Sequence, residues 1–175
     1  KQNDVLSSWY DSFTNQFHSR NVWQYLEVPE KGCFTDFRKM KVDDDELAME
    51  RVFSIGGKTG WYYANFLWKI RGFLDKLMGG VGLRRGRRNQ NELEAGDSVD
   101  FWRVLFANKE EKRLLLFAEM KVPGEAWLEF YIKDGELHQE ATFRPLGLSG
   151  RLYWYSVLPF HGLIFNGMLR KLAGK

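Results

Sequence analysis

The sequence AWLEFYIKDGELHQEATFR, residues 126–144, decides the fold of this chain. It contains two runs rich in apolar and aromatic residues, 126–133 and 137–144, separated by Asp134-Gly135. An Asp-Gly pair between two such runs is typical of the two-residue turn of a β-hairpin. The stretch therefore predicts two antiparallel strands that are neighbours in one sheet.

A second hairpin is predicted directly upstream. Residues 99–107 and 113–122 are β-rich runs on either side of the polar turn 108–111. Pro123-Gly124 breaks the chain between the two hairpins. Three consecutive hairpin-like connections predict an antiparallel meander of four strands.

The C-terminal residues 156–172 predict a long helix. Apolar residues cover most of its circumference, as expected of a helix that a curved sheet surrounds. Pro159 is compatible with this helix near its first turn, and Gly162 and Gly167 allow a close approach to the sheet. A loop is expected before the helix, at residues 145–150.

The upstream part adds two strands and a helix. Residues 33–42 and 47–55 predict strands, the three aspartates at 43–45 predict a loop or a helix cap, and 60–78 predict a helix with apolar residues at helical spacing. The order of elements predicts an α+β fold, with a curved antiparallel sheet around a long C-terminal helix.

Composition excludes several classes of protein. A chain of 175 residues is one ordinary domain, and 16% aromatic residues, with seven Trp, is more ring surface than its core needs. The net charge of +3 is too small to indicate a nucleic-acid-binding protein. The single cysteine, Cys33, excludes an internal disulfide and fits a reducing compartment.

Targeting and metal-site signals are missing from the sequence. No apolar run is long enough to span a bilayer and no signal peptide is visible, so we predict a cytoplasmic protein without a membrane span. One Cys and three His give no metal-ligand spacing. Two nucleotide-binding motifs are incomplete. A phosphate loop would need glycine at position 52, which is Val52, and a dinucleotide-binding fingerprint would need glycine at position 85, which is Arg85.

Aromatic residues are the first candidates for a binding site. They either pack the core or line a largely apolar cavity for a hydrophobic ligand, and the sequence does not separate these alternatives. The candidates are Trp61, Tyr62, Trp102, Trp127, Tyr153 and Tyr155.

Two carboxylates and a histidine are the second group of candidates. Glu119 and Glu129 lie on neighbouring predicted strands, and His161 lies in an otherwise apolar helix. Facing a cavity, they suit acid–base chemistry or the anchoring of a polar ligand group. Facing outward, the carboxylates are solubilising charges, and His161 is then a core or cap histidine.

Four arginines in five residues form the third candidate. They suit an anionic ligand or an acidic partner surface, or else they belong to a solvated loop with acidic neighbours. These residues are Arg84, Arg85, Arg87 and Arg88.

Several longer motifs resemble a bacterial family of domains of unknown function. The resemblance covers about residues 33–173. It rests on SIGGKTGWYYAN at 54–65, GGVGLRRGRR at 79–88, VDFWRV at 99–104, AEMKVPG at 118–124, AWLEF at 126–130, GRLYWY at 150–155 and PFHGLIF at 159–165.

That resemblance implies a START-like (SRPBCC) helix-grip fold. It also implies a position after an atypical short-chain dehydrogenase/reductase domain, similar to nucleoside-diphosphate-sugar epimerases. On this basis residues 1–32 are a lead-in from such a domain and 33–175 are the helix-grip domain; the missing initial Met agrees with an excised C-terminal domain. Any NAD(P) would bind in the upstream domain, and the family supplies no catalytic residues.

Three hypotheses follow for function. The first is a non-catalytic domain that binds a small hydrophobic ligand or covers the substrate of its upstream reductase-like domain. The second is an enzyme that uses Glu119, Glu129 or His161 on a substrate held in the cavity. The third is an interaction module that docks through the arginine loop.

Overall fold

The computed structural model describes residues 26–56, 59–77, 79 and 92–175. Within these residues it contains six strands and three helices. They are β1 (Phe34–Lys41), α1 (Asp45–Phe53), α2 (Asn65–Leu77), β2 (Ser98–Val99), β3 (Trp102–Asn108), β4 (Arg113–Ala118), β5 (Gly124–Lys133), β6 (Glu136–Pro145) and α3 (Gly147–Leu172).

The strands form one antiparallel sheet in the order β1-β6-β5-β4-β3-β2. The hairpin predicted at residues 126–144 is confirmed, with Lys133 opposite Glu136. Asp134 and Gly135 both have positive φ, 54° and 70°. Two such residues between paired strands make the turn that matches the twist of a hairpin.

The two faces of the curved sheet bury different residues. On β5, Leu128 and Phe130 point to the concave face and belong to the main core, whereas Trp127 between them belongs to a smaller cluster on the convex face. Helix α3 covers β1 and β6 on the concave face. The predicted α+β architecture of a curved antiparallel sheet with a C-terminal helix is therefore confirmed.

The second half of α3 closes the core. Phe165, Met168, Leu169 and Leu172 are buried there, at the spacing of a single helix face. Helix α1 packs against the same end of α3, and the Arg51 guanidinium donates to the carbonyl oxygen of Leu172 at 3.3 Å.

The strand predicted at residues 47–55 is wrong, because this segment is helix α1. Its apolar residues recur every three to four positions instead of alternating, and Asp44 caps the helix by accepting from the Leu47 amide at 3.0 Å. Asp45 and Glu46 in the first turn and Arg51 in the last turn also favour the helix dipole.

Helix α3 begins at Gly147, nine residues before the predicted start, so most of the loop expected at 145–150 is helical. Pro159 therefore lies inside the helix and not in its first turn. It lies on the exposed side, where water can satisfy the carbonyl oxygen that loses its helical partner.

Helix α2 begins at Asn65, five residues after the predicted start. Tyr62 and Ala64 have positive φ, 61° and 51°, and so cannot continue a helix backwards. The Asn65 side chain accepts from the Trp61 amide at 2.8 Å and fixes this turn.

Two glycines of α3 test how closely the helix approaches the sheet. A Cβ atom at Gly150 would lie 2.4 Å from the Pro123 carbonyl oxygen, whereas at Gly162 it would meet no described atom within 4 Å. We predict that Gly150→Ala lowers the free energy of unfolding by about 1–3 kcal/mol through overpacking. Gly162→Ala should leave it unchanged or raise it by up to about 1 kcal/mol. Urea unfolding monitored by circular dichroism measures both, and equal effects would contradict the described packing.

Candidate functional site

Four aromatic rings line one end of the concave face, and we call them the aromatic wall: Trp61, Trp68, Phe101 and Trp102. The rings of Trp61 and Trp68 stack with centroids 4.4 Å apart. Trp102 lies 6.1 Å from Trp61, and Phe101 lies 5.9 Å from Trp68. The structure therefore brings together two of the predicted residues, Trp61 and Trp102, and adds two that were not predicted.

Trp61 is held by a polar contact at its indole nitrogen. Its Nε1 donates to Oδ2 of Asp100 at 2.7 Å. Burial raises the pKa of Asp100, and the hydrogen bond from Trp61 opposes that effect. The neighbouring Tyr62 is partly buried against the same core.

A group of polar side chains lies further along the concave face, under α3. We call it the polar cluster: Asp36, Arg38, Gln139 and His161. Alternation along β1 turns Asp36 and Arg38 to the same side, and pairing with β6 places Arg38 opposite Gln139. The sheet register therefore builds the cluster from two adjacent strands, and α3 adds the histidine.

Asp36 is the centre of this cluster. Its two carboxylate oxygens accept from Nε and Nη2 of Arg38, at 2.7 and 2.9 Å. Nδ1 of His161 lies 3.7 Å from Oδ2 of Asp36, within ion-pair range but beyond hydrogen-bond distance. Burial alone would raise the pKa of Asp36, but His161 and Arg38 together outweigh it, and the pKa is held below its ordinary value.

Gln139 is fully buried, opposite Phe130 on one side and Arg38 on the other. Neither its amide nitrogen nor its amide oxygen has a hydrogen-bond partner among the described residues. The indole Nε1 atoms of Trp68 and Trp102, in the aromatic wall, are also buried and have no hydrogen-bond partner among the described residues. Because an unsatisfied buried polar group costs about 1–3 kcal/mol, most buried groups in folded proteins are paired, and Gln139 is an exception.

Aromatic rings surround the histidine. The His161 ring lies 5.1 Å from Trp154 and 4.6 Å from Phe165. Tyr153, about two turns before His161, packs on Phe143 and accepts a hydrogen bond from Arg71 of α2. Tyr155 is instead exposed, and its ring makes an edge contact with Phe34.

Three predicted site residues lie on the convex face, away from the polar cluster. Trp127 is buried there, in edge contact with Phe117. Glu119 accepts from Nε and Nη2 of Arg103 at 3.0 and 3.1 Å. This face is the one opposite α3.

The carboxylate of Glu129 is also bound on the convex face, to Arg113 at 2.5 Å. In the sheet Glu129 lies opposite Glu140 of β6 and Leu115 of β4, and not opposite Glu119. Burial and the negative charge of Glu129 raise the pKa of Glu140. Glu119 and Glu129 thus form no pair with each other.

Sequence reasoning missed Asp36, Arg38 and Gln139. The strand at residues 34–41 does carry a signal. Partly buried and exposed positions alternate along it, and two of the partly buried positions hold the charged residues Asp36 and Arg38. The four arginines at 84, 85, 87 and 88 lie outside the described residues.

Residues 30–168 match the family described as "Protein of unknown function (DUF2867)". The chain belongs to this family. A family of unknown function is also what the sequence motifs resemble, and DUF2867 includes every residue of both the aromatic wall and the polar cluster.

Two further similarities are weaker. The chain is 29% identical over 125 residues to the probable translation initiation factor IF-2 of Pyrococcus abyssi (strain GE5 / Orsay), which covers 60% of this chain and 13% of that protein. It thus spans only a small part of that curated relative. The crystal structure of Ara h 8.0201 aligns with a TM-score of 0.41 and 9% identity over 82% of this chain and 100% of that one. For this member of DUF2867 the site is therefore interpreted from its own geometry.

In the described part of the chain, no three His, Cys, Asp or Glu side chains come together as a metal-binding group. None of the helices described there has both the length and the apolar character needed to cross a membrane.

The lowered pKa of Asp36 predicts a pH-dependent contribution to stability. The ionised carboxylate stabilises the fold above the ordinary aspartate pKa of about 4, and the contribution is lost as the pH falls through the lowered pKa. We predict that Asp36→Asn lowers the free energy of unfolding by about 1–3 kcal/mol at pH 7, because the Arg38 guanidinium loses its charged partner.

The difference between this variant and the wild type should shrink as the pH falls below about 4. Asp134→Asn, in the exposed hairpin turn, is the matched control and should change little at any pH. Urea unfolding between pH 3 and 7 measures both. A difference for Asp36→Asn that stays constant over this range would contradict the ion-pair assignment.

Proposed function

We propose that this domain binds a small, largely apolar molecule between the sheet and α3, with the Gln139 amide holding the polar group of that molecule. The observation that carries the proposal is the complete burial of Gln139 with both side-chain polar atoms unpartnered among the described residues. A bound polar group would satisfy the amide and remove its desolvation cost.

The surroundings of Gln139 define the chemistry of the ligand. Gln139 lies opposite Phe130, and Leu137 is next to it on the same face of β6; both belong to the apolar core, which favours an apolar ligand body. An amide donates and accepts, so it suits a hydroxyl, an amide or a protonated carboxylic acid. Asp36 neutralises Arg38, the nearest cation, and the site therefore does not require a fully charged ligand.

Entry of the ligand would require the helices to move. Gln139 has no solvent exposure, so a molecule reaches it only when α3 or α2 separates from the sheet. Two contacts connect the α2 segment to α3: Arg71 donates to Tyr153, and Tyr63, just before α2, packs against Gly167. We infer that these contacts close the site.

The role in the whole protein follows from the resemblance described above. We propose that residues 33–175 are a START-like helix-grip domain, that 1–32 lead in from an upstream reductase-like domain, and that any NAD(P) binds there. The ligand would then be the substrate or product of that domain, covered or delivered by this one, in a cytoplasmic protein. The arginines at 84, 85, 87 and 88 remain a candidate contact with that domain.

A second candidate is acid–base chemistry at His161. The observation that favours it is the approach of Asp36 to within 3.7 Å of Nδ1, since a carboxylate beside a histidine can orient the ring. In this form of the enzyme hypothesis His161 acts with Asp36, while Glu119 and Glu129 are bound by arginines on the convex face. Chemical conversion of a bound ligand that is lost in His161→Asn would favour it.

The amide of Gln139 provides a direct test. We predict that Gln139→Met raises the free energy of unfolding of the ligand-free chain by about 1–3 kcal/mol, because a buried unsatisfied group is removed at similar volume. The same variant should bind the apolar probe 1-naphthol less tightly, while its affinity for naphthalene, which has no hydroxyl, stays unchanged.

Native mass spectrometry of the full chain, as purified and with each probe, measures occupancy. Thr142→Val is the control, because Thr142 is buried on the convex face of the same strand, and it should leave binding unchanged. Wild-type chain that carries no co-purified molecule and binds neither probe would contradict the proposal. Equal loss of 1-naphthol binding in both variants would also contradict it.

A further inference from the structure

Helix α2 carries an uncovered apolar stripe. Phe66, Ile70, Phe73 and Leu77 are spaced by four, three and four residues and so lie on one face. All four are at least half exposed. Trp68, on the opposite side of the helix, is buried in the aromatic wall. The stripe therefore points away from the core.

Helix α3 carries a second stripe over its first four turns. Leu148, Leu152, Tyr155 and Leu163 recur at helical spacing, and each is more than half exposed. Trp154 and Phe165 lie on the opposite side and are buried. This stripe also points away from the sheet.

Two side-chain contacts connect the α2 segment to α3. Tyr63, just before α2, packs against Gly167 near the end of α3, and Arg71 further along α2 contacts Tyr153 near the start of α3. The helices therefore run antiparallel, and each stripe lies on the side of its helix opposite the buried residues. We call this surface the outer helical face.

The outer helical face extends over several turns of both helices. At about 1.5 Å per residue, the stripes extend about 16 Å along α2 and about 22 Å along α3. Apolar patches of several hundred Å² on a protein surface mark sites of interaction with a partner or a membrane.

The charges of the two helices restrict the occupant of this face. Helix α3 contains no Asp or Glu in its 26 residues, and the chain has no acidic residue after Glu140. The sequence of α2 has one acid, Asp75, and its exposed cations are Lys69 and Lys76. Exposed cations beside exposed Phe and Leu residues require a surface that is both apolar and anionic.

We propose that the outer helical face docks on the surface of a lipid bilayer that contains anionic lipids. Both helices would lie in the plane of the interface, with Phe and Leu side chains among the acyl chains and Lys and Arg at the phosphates. A second copy of this chain fits less well, because a symmetric contact would bring like cations together.

Vesicle co-sedimentation of the full chain tests this proposal. Vesicles of phosphatidylcholine with 30 mol% phosphatidylglycerol should bind the chain, and pure phosphatidylcholine vesicles should bind it weakly. We expect the double variant Phe73→Ser/Leu152→Ser to lower the partition coefficient by about tenfold or more, since two buried apolar side chains are lost. Lys69→Glu/Lys76→Glu, or about 0.5 M salt, should also weaken binding.

A matched control distinguishes docking through this face from nonspecific hydrophobic adsorption to vesicles. Phe37 is 48% exposed, comparable to 63% for Phe73, but it lies on the convex side of β1. Phe37→Ser should leave vesicle binding unchanged. Equal losses in Phe37→Ser and Phe73→Ser would overturn the proposal, as would no preference for phosphatidylglycerol.

Light scattering after gel filtration identifies the competing occupant. The proposal expects a monomer whose size does not change in Phe73→Ser/Leu152→Ser. A wild-type dimer that this variant converts to a monomer, without vesicle binding, would show that the face is a self-contact. A monomer that binds no vesicles would indicate that the face binds an acidic protein surface instead. A dimer of this kind, or a monomer without vesicle binding, would each overturn the proposal.

Discussion

The fold depends on one constraint, the need to cover the concave face of the sheet. Strands β4, β5 and β6 turn Leu116, Leu128 and Leu137 to that face, and their burial requires a helix on top. Helix α3 supplies it, but unevenly. Its last turns insert Phe165, Met168 and Leu172 into the core, whereas in the first turns of this fully described helix the buried residues are Gly150 and Trp154. The C-terminal half of α3 therefore closes the core, whereas its N-terminal half carries an exposed apolar surface.

The polar cluster is the exception within this apolar core. Asp36 and Arg38 offset each other's burial, because a paired carboxylate and guanidinium with two hydrogen bonds cost far less than either alone. Gln139, beside them, has no such compensation among the described residues. Folded proteins keep an uncompensated buried group where it serves a purpose other than stability. That contrast between neighbouring residues of β1 and β6 is the basis of the binding role proposed for Gln139.

Much of the fold could be predicted from local sequence, and much of the site could not. The hairpin at Asp134-Gly135 was predictable because turn chemistry and β-rich runs agree within a few residues. Helix α1 was missed because its nine residues are short enough for an apolar run to suggest a strand. Gln139 was missed because its face depends on the register with β1, a contact between residues about 100 positions apart. The aromatic rings were predicted as a group, but side-chain alternation along the paired strands divides them between two faces, so that Trp102 and Trp127 lie on opposite sides.

The central claim is that the Gln139 amide is reserved for the polar group of a bound apolar molecule. A high-resolution crystal structure of the full chain, as purified, tests it most directly. The claim predicts density that belongs to no protein atom, with a polar atom about 2.7–3.2 Å from the amide nitrogen or oxygen of Gln139. Continuous protein packing around Gln139, with its amide hydrogen-bonded to Arg38 or to the backbone, would contradict the claim.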